Sequence, residues 1–344
     1  MESVIDIAAF LSDPERALED CKKVVDSFKS TGILVIRDPR VTFSDNATFI
    51  DMMEDYYNLE NEKKKKDARP EFHYQVGTTP EFTEVPRDNA EVISKLHDDQ
   101  KPTPLTGADP KWRFFWPIGE RPKETKFPRL NMPQVIPESF PNWEAVMNKW
   151  ASLILQACIT VADMLARGLD LPHETFTKMM KFGPHLLAPT GSDLGLFNKP
   201  STVFAGFHYD LNFLTIHGKS RYPGLFVWLR NGTRSAVKIP DGCLLLQAGK
   251  QLEWLTGGLI EAGYHEVVVN DETLKALERQ KEAGRPTWRV SSTLFSHIGS
   301  DEVLEPLKEE WKNDKYPPTL TGDQVSNELK QIKLGKTQEV ATDL

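Results

Sequence analysis

Thiol chemistry is almost missing from this chain. Its three cysteines, Cys21, Cys158 and Cys243, are scattered through 344 residues. That spacing supports neither a disulfide framework nor a thiolate zinc site, and a reducing compartment, the cytoplasm, is expected. Positive charge is also in short supply: Lys and Arg number 42 against 50 Asp and Glu, a formal net charge of −8. Such a surface repels phosphate backbones, so no nucleic-acid partner is expected. The run Lys63–Lys66 stands among Glu60, Glu62 and Asp67 and reads as a solvated helix end. Uninterrupted apolar runs are lacking too. The most apolar stretch, Trp143–Leu165, is broken by Glu144, Asn148, Lys149, Gln156 and Asp163, so no membrane association is expected of it. The opening Met-Glu-Ser-Val-Ile-Asp is not a secretory or mitochondrial signal. The final Ala-Thr-Asp-Leu matches no peroxisomal or prenylation signal. No internal repeat or low-complexity segment occurs.

What is present divides along the chain. Val4–Ile7 is a short strand candidate, and Pro14–Ser30 has helical spacing, with Ala17, Leu18, Cys21, Val24, Val25 and Phe28 on one face. Gly32 ends that helix before the apolar strand Ile33–Ile36, and a second helix is expected over Phe49–Leu59. Residues 68–142 are rich in proline and read as loops and turns packed over another surface, because Phe72, Tyr74, Trp112, Phe114, Phe115 and Trp116 need cover. Trp143–Leu165 carries a wide apolar stripe and is the clearest helix. From about residue 182 the pattern turns to strands: Val203–Tyr209, Phe213–His217, Leu225–Leu229, Ser235–Ile239, Cys243–Gln247, His265–Val269 and Arg289–Phe295. Asn231-Gly232 between two of them is a hairpin signal. A helix is expected within Asp271–Pro286 and a weak one over Gly322–Leu334. Many short strands after a helical part indicate a mainly β fold, a barrel or jelly roll with supporting helices.

The sharpest chemical feature is Phe207-His208-Tyr209-Asp210. Alternate residues of a strand share a face, so His208 and Asp210 can aim an imidazole and a carboxylate at one point. A second imidazole, His265, opens a later strand. Two histidines and one carboxylate make the facial triad that holds non-haem Fe(II) with open positions opposite. Farther on, Arg289 and Ser291 share strand parity. A guanidinium fork beside a hydroxyl suits a carboxylate.

In this order and context, the chain resembles the isopenicillin N synthase-like branch of the Fe(II)/2-oxoglutarate-dependent oxygenases. The resemblance also rests on Val4–Ile7, Thr31–Ile36, Pro223-Gly224-Leu225-Phe226-Val227 with Asn231-Gly232, Asp241–Glu253, and Tyr316-Pro317-Pro318 through Asp323. It implies a double-stranded β-helix (jelly-roll) barrel with a helical N-terminal region. Residues 1–344 then form one domain: a helical and loop region over 1–180, a jelly-roll core over 182–300 and a C-terminal extension over 301–344. It implies that His208, Asp210 and His265 bind iron and that Arg289 and Ser291 bind 2-oxoglutarate. O2 is the third reactant and ascorbate a possible reductant. The implied reaction is hydroxylation, desaturation or oxidative cyclisation of a small molecule, with succinate and CO2 as co-products. A monomer is expected, acting on an amino acid or another small carboxylic acid.

The same resemblance leaves two other readings open. One is an oxidase of this fold that does not use 2-oxoglutarate, its Arg289 and Ser291 binding a substrate carboxylate instead. The other is a non-catalytic binding protein. Two departures from the branch stand out. The insertion Asp271–Pro286 is expected to be an external helix that leaves its flanking strands paired. Pro184–Pro189 lies where many relatives carry an Asn-X-Tyr that touches the cosubstrate, and His185 is the candidate substitute. Candidate substrate residues are His73, Tyr74, Arg113, Phe115, His185, Phe204, Tyr209, Phe295 and His297; Arg113 is the one able to hold a substrate carboxylate. His217 and Trp254 read as core or supporting residues.

Overall fold

The computed structural model describes residues 4–105 and 107–334; residues 335–344 of the expected C-terminal extension lie outside them. The strands that build the site are, in chain order, β1 (Ile33–Arg37), β2 (Trp112–Ile118), β3 (His185–Leu187), β4 (Thr190–Asp193), β5 (Val203–Tyr209), β6 (Leu214–Gly218), β7 (Leu225–Trp228), β8 (Arg234–Ala236), β9 (Leu244–Ala248), β10 (Tyr264–Val268), β11 (Trp288–Val290) and β12 (Ser292–Ser296). The main helices are α1 (Leu18–Thr31), α2 (Phe43–Tyr57), α3 (Trp143–Gly168), α4 (Asp271–Glu282) and α5 (Thr321–Gln331).

A large sheet runs from Ile5–Asp6 through β1, β9, β6, β12, β3, β2, β4 to β11, with Gly77–Thr79 also on β2. A smaller sheet has the order β8-β7-β10-β5. Strand alternation gives the large sheet two different faces. Leu214, Ile216, Leu244, Leu246, Val290 and Leu294 enter the main hydrophobic core with Trp143, Trp150, Tyr56, Tyr57 and Phe28 of the helices. Their neighbours Thr215, His217, Thr293 and Phe295 face the other side, where His217, Thr293 and Phe295 line a pocket. Since His208 and His265 of the smaller sheet line the same pocket, it lies between the two sheets.

Local chemistry explains most boundaries. Gly32 ends α1 with φ of 78°, a conformation glycine adopts without a Cβ clash. Gly232, with φ of 81°, turns the hairpin between β7 and β8. Helix α2 starts earlier than its apolar spacing implies, because Thr42 and Asp45 form a capping box. Helix α3 is long and apolar enough to cross a membrane, yet its apolar stripe is buried here, Trp143, Trp150, Ile154 and Leu165 among it.

Four expectations need correction. The proline-rich stretch contains a full strand of the large sheet, β2, because Trp112, Phe114 and Trp116 alternate with Arg113 and Phe115 on a pleat buried on both faces. Arg289–Phe295 is two strands, interrupted at Ser291, whose N–H donates to Thr190 O at 2.9 Å. The strands flanking α4 are not paired with each other: β10 joins β7 and β5, whereas β11 joins β4. Finally, Lys64 is buried: its ammonium donates to Tyr57 O at 2.8 Å and sits over the rings of Trp112 and Trp288.

Candidate active site

The pocket's inner end is built by one cross-strand pair. His208 on β5 lies directly opposite His265 on β10, and their ring centroids are 4.2 Å apart. A register shift after His265 marks a bulge, a device that re-aims side chains. Asp210 follows β5 by one residue, and its Oδ1 lies 3.8 Å from Nε2 of each histidine. Those separations are too long for hydrogen bonds. The three ligand atoms lie within 4.8 Å of one another and face a shared point.

Each group is oriented by a second bond. His208 Nδ1 lies 2.6 Å from Gly206 O; a carbonyl only accepts, so Nδ1 carries the proton and Nε2 offers its lone pair. His265 Nδ1 faces Gly263 O at 3.5 Å, a longer contact of the same sense. Thr215 Oγ1 donates to Asp210 Oδ2 at 2.6 Å, turning Oδ1 toward the histidines. Burial, reinforced by His265, lowers His208 to about 3, so its imidazole is neutral. Burial raises the Asp210 carboxyl, but His265, His208 and the Thr215 hydroxyl outweigh it and hold it below the usual range. Two imidazoles and one carboxylate fit a hard-to-borderline divalent cation such as Fe(II).

Arg289 on β11 stands on the pocket wall. Its Nε donates to Pro223 O at 3.2 Å. Pro223 is presented by a turn at Gly224, where φ is 125° and a Cβ would lie 2.7 Å from Val268 O. Among the described residues no carboxylate pairs with Arg289, and burial alone lowers it to about 10. Ser291 Oγ accepts from Thr190 N and Thr190 Oγ1, both at 2.9 Å, which leaves its own proton for a ligand. A buried, unpaired guanidinium is costly; this one fits an anionic group such as the distal carboxylate of 2-oxoglutarate.

The other sequence candidates divide. Arg113, Phe115, Phe204, Tyr209, Phe295 and His297 line the pocket. His73, Tyr74 and His185 do not. His73 bonds Leu334 O at 3.0 Å, and Tyr74 packs on a cluster with Val325 and Leu329 of α5. His185 is turned behind β12, its Nδ1 accepting from His297 N at 2.9 Å and its Nε2 bonded to Met180 O at 3.1 Å. It therefore does not replace the missing Asn-X-Tyr. Arg113 is already engaged, donating to Glu84 Oε2 at 2.5 Å.

Several pocket groups escaped sequence reading. Lys111 and Asp109, just before β2, join Arg113 and Glu84 in a buried four-charge cluster, with Lys111 Nζ 2.7 Å from Asp109 and 3.3 Å from Glu84. Opposite charges two residues apart were the available signal. Burial raises the Glu84 carboxyl, but Arg113 and Lys111 override it and hold the group at about 2. Arg87 and Glu328 form a buried ion pair that also bonds the Tyr209 hydroxyl. It fastens α5 over the pocket, where Leu329 and Ile332 complete the wall; so distant a pairing leaves no local sequence signal.

No family model matches the chain. Gibberellin 20 oxidase 4 of Arabidopsis thaliana is 21% identical over 277 residues, covering 79% of this chain and 68% of that protein. Azadirone synthase LFS of Melia azedarach is 24% identical over 212 residues, 56% of each chain. Among solved structures, a full-length Neurospora crassa protein in complex with alpha-KG and thymine superposes with a TM-score of 0.73 at 19% identity, over 95% of this chain and 96% of that one. With a sheet order and register that bring His208, Asp210 and His265 together beside an unpaired Arg289, this chain has the double-stranded β-helix fold of the Fe(II)/2-oxoglutarate-dependent oxygenases.

Proposed function

We propose that this protein is a non-haem Fe(II)- and 2-oxoglutarate-dependent dioxygenase that oxidises a small molecule. The observation that carries the reading is the convergence of His208 Nε2, Asp210 Oδ1 and His265 Nε2 in one pocket with the unpaired Arg289. His208, Asp210 and His265 hold the metal, and Arg289 with Ser291 holds the distal carboxylate of the cosubstrate. When bound, iron and 2-oxoglutarate supply the oxidising chemistry with O2, giving succinate and CO2 beside the oxidised product. The chain's own residues supply placement. Gly206 O and Thr215 fix the orientation of His208 and Asp210. Phe115, Leu186, Phe204 and Phe295 give the pocket an apolar wall that keeps water from the reacting centre.

The substrate is a small, largely apolar molecule seated against that wall. The carboxylic acid expected from Arg113 is less well served, since Glu84 already neutralises that guanidinium. The cytoplasm is part of the same reading, supported by three cysteines that are all free and buried.

Anaerobic titration tests the activity. Adding 2-oxoglutarate to the Fe(II)-loaded protein is expected to raise the visible absorption of a keto acid chelate, and admitting O2 is expected to release succinate. Iron binding without either response would move the protein to the oxidase that does not use 2-oxoglutarate; absence of iron binding would remove the enzyme reading altogether.

A further inference from the structure

Three polar residues of the large sheet belong neither to the metal cluster nor to the Arg289 wall. His217 on β6 lies opposite Thr293 on β12, and its Nδ1 is 2.9 Å from Thr293 Oγ1. Its Nε2 is 2.7 Å from Gln247 Oε1 on β9. Thr293 and His217 both line the pocket. Asp210, His265 and Arg289 line the same pocket as His217. Thr293 lines the pocket together with Arg289 and Ser291.

The relay has a direction. Burial lowers His217 to about 4, against the pull of Asp210, so one ring nitrogen donates and the other accepts. With the Gln247 carbonyl toward the ring, Thr293 must donate inward to Nδ1, and the buried Gln247 Nε2 has no partner among the described residues. Rotating the amide by half a turn uses the same heavy-atom positions. The amide then donates to Nε2, Nδ1–H donates to Thr293, and the Thr293 proton points into the pocket. One amide N–H and the carbonyl oxygen are then left without a partner, where the first orientation orphans both N–H groups, and an unpaired buried carbonyl is the lesser fault.

We propose that Gln247, His217 and Thr293 form a donor relay whose last proton, on Thr293 Oγ1, bonds the distal carboxylate held by Arg289. This rests on the 2-oxoglutarate reading above and adds to Arg289 and Ser291 the polar contact that Pro184–Pro189 does not supply. Thr293 touches the cosubstrate; His217 and Gln247 are positioning residues that act through it.

The test is calorimetric titration of the full chain loaded with Mn(II), using 2-oxoglutarate and 2-oxobutanoate. The second ligand has the same keto acid head and no distal carboxylate. Thr293→Val keeps the side-chain shape and is expected to weaken 2-oxoglutarate about 10-fold, the scale of one hydrogen bond to a charged group, while leaving 2-oxobutanoate unchanged. Thr293→Ser is expected to restore wild-type binding. Gln247→Met is expected to give a smaller loss with the same selectivity. Unchanged or tighter 2-oxoglutarate binding by Thr293→Val, or equal loss of both ligands with Mn(II) still bound, overturns the relay. Wild-type protein that binds Mn(II) but not 2-oxoglutarate instead overturns the reading on which the relay rests.

Discussion

Two cationic regions of the pocket wall are built on opposite terms. Arg289 is buried with one backbone acceptor and no carboxylate partner among the described residues. Lys111 and Arg113 are just as buried, yet Asp109 and Glu84 neutralise them at 2.5–3.3 Å. In sequence the two arginines look alike, each in a short alternating strand beside aromatic residues. The difference teaches which cation is reserved for a ligand. A buried charge left unpaired costs folding free energy, so an arginine in that state is completed by an incoming anion; a paired one holds the structure together.

The largest expected effect comes from the cluster between these regions. Asp210→Ala removes the carboxylate of the proposed metal site, and calorimetric Fe(II) titration is expected to show no binding, with succinate formation at background. The comparison itself is broken or upheld by the next pair. Arg289→Gln is expected to weaken 2-oxoglutarate about 100-fold, as loss of a bidentate charged contact requires, with a melting temperature unchanged or raised. Glu84→Gln is expected to do the reverse, leaving 2-oxoglutarate binding near wild type while destabilising the fold by about 3–5 kcal/mol, because two buried cations lose a partner. If both variants lose ligand binding and stability together, the distinction between the regions fails.

Smaller effects sharpen the picture. Thr215→Val is expected to lower metal affinity about 10-fold, the cost of losing a bond that orients a ligand, measured by competition with a chelator. The pH dependence follows from Glu84. Its folded pKa, about 2, lies below the ordinary carboxylate value. Its stabilisation is therefore fully present above that ordinary value and is lost as pH falls toward 2. Melting temperature against pH is expected to fall across that window in the wild type, with a shallower slope in Glu84→Gln.

The inner end of the site was legible because strand alternation is a local rule. His208 and Asp210 are two residues apart, as are Arg289 and Ser291, and period two places such pairs on one side whatever the rest of the chain does. Asp109 and Lys111 stand just before β2 and not in it, so strand alternation alone does not gather them with Arg113. Position along the chain failed for His73 and Tyr74, because proximity to a pocket says nothing about which way a loop side chain turns, and for His185, whose strand parity is opposite to that of the pocket-lining Leu186. Lys64 shows the same limit: a lysine run looks solvated until two tryptophans are folded over one member.

The sequence by itself determined the residue types that can chelate a metal, the strands that carry them and the helices that must cover an apolar sheet face, since each depends on neighbours within one element. Only the tertiary structure decided that His208 and His265 stand in register, that Arg289 has no carboxylate partner among the described residues while Arg113 has one, that His217 rather than His185 faces the pocket, and that α5 is fastened over it through Arg87 and Glu328. Those facts turn on pairings between distant segments. Charge neutralisation and hydrogen-bond direction are properties of such contacts, not of the residues that make them.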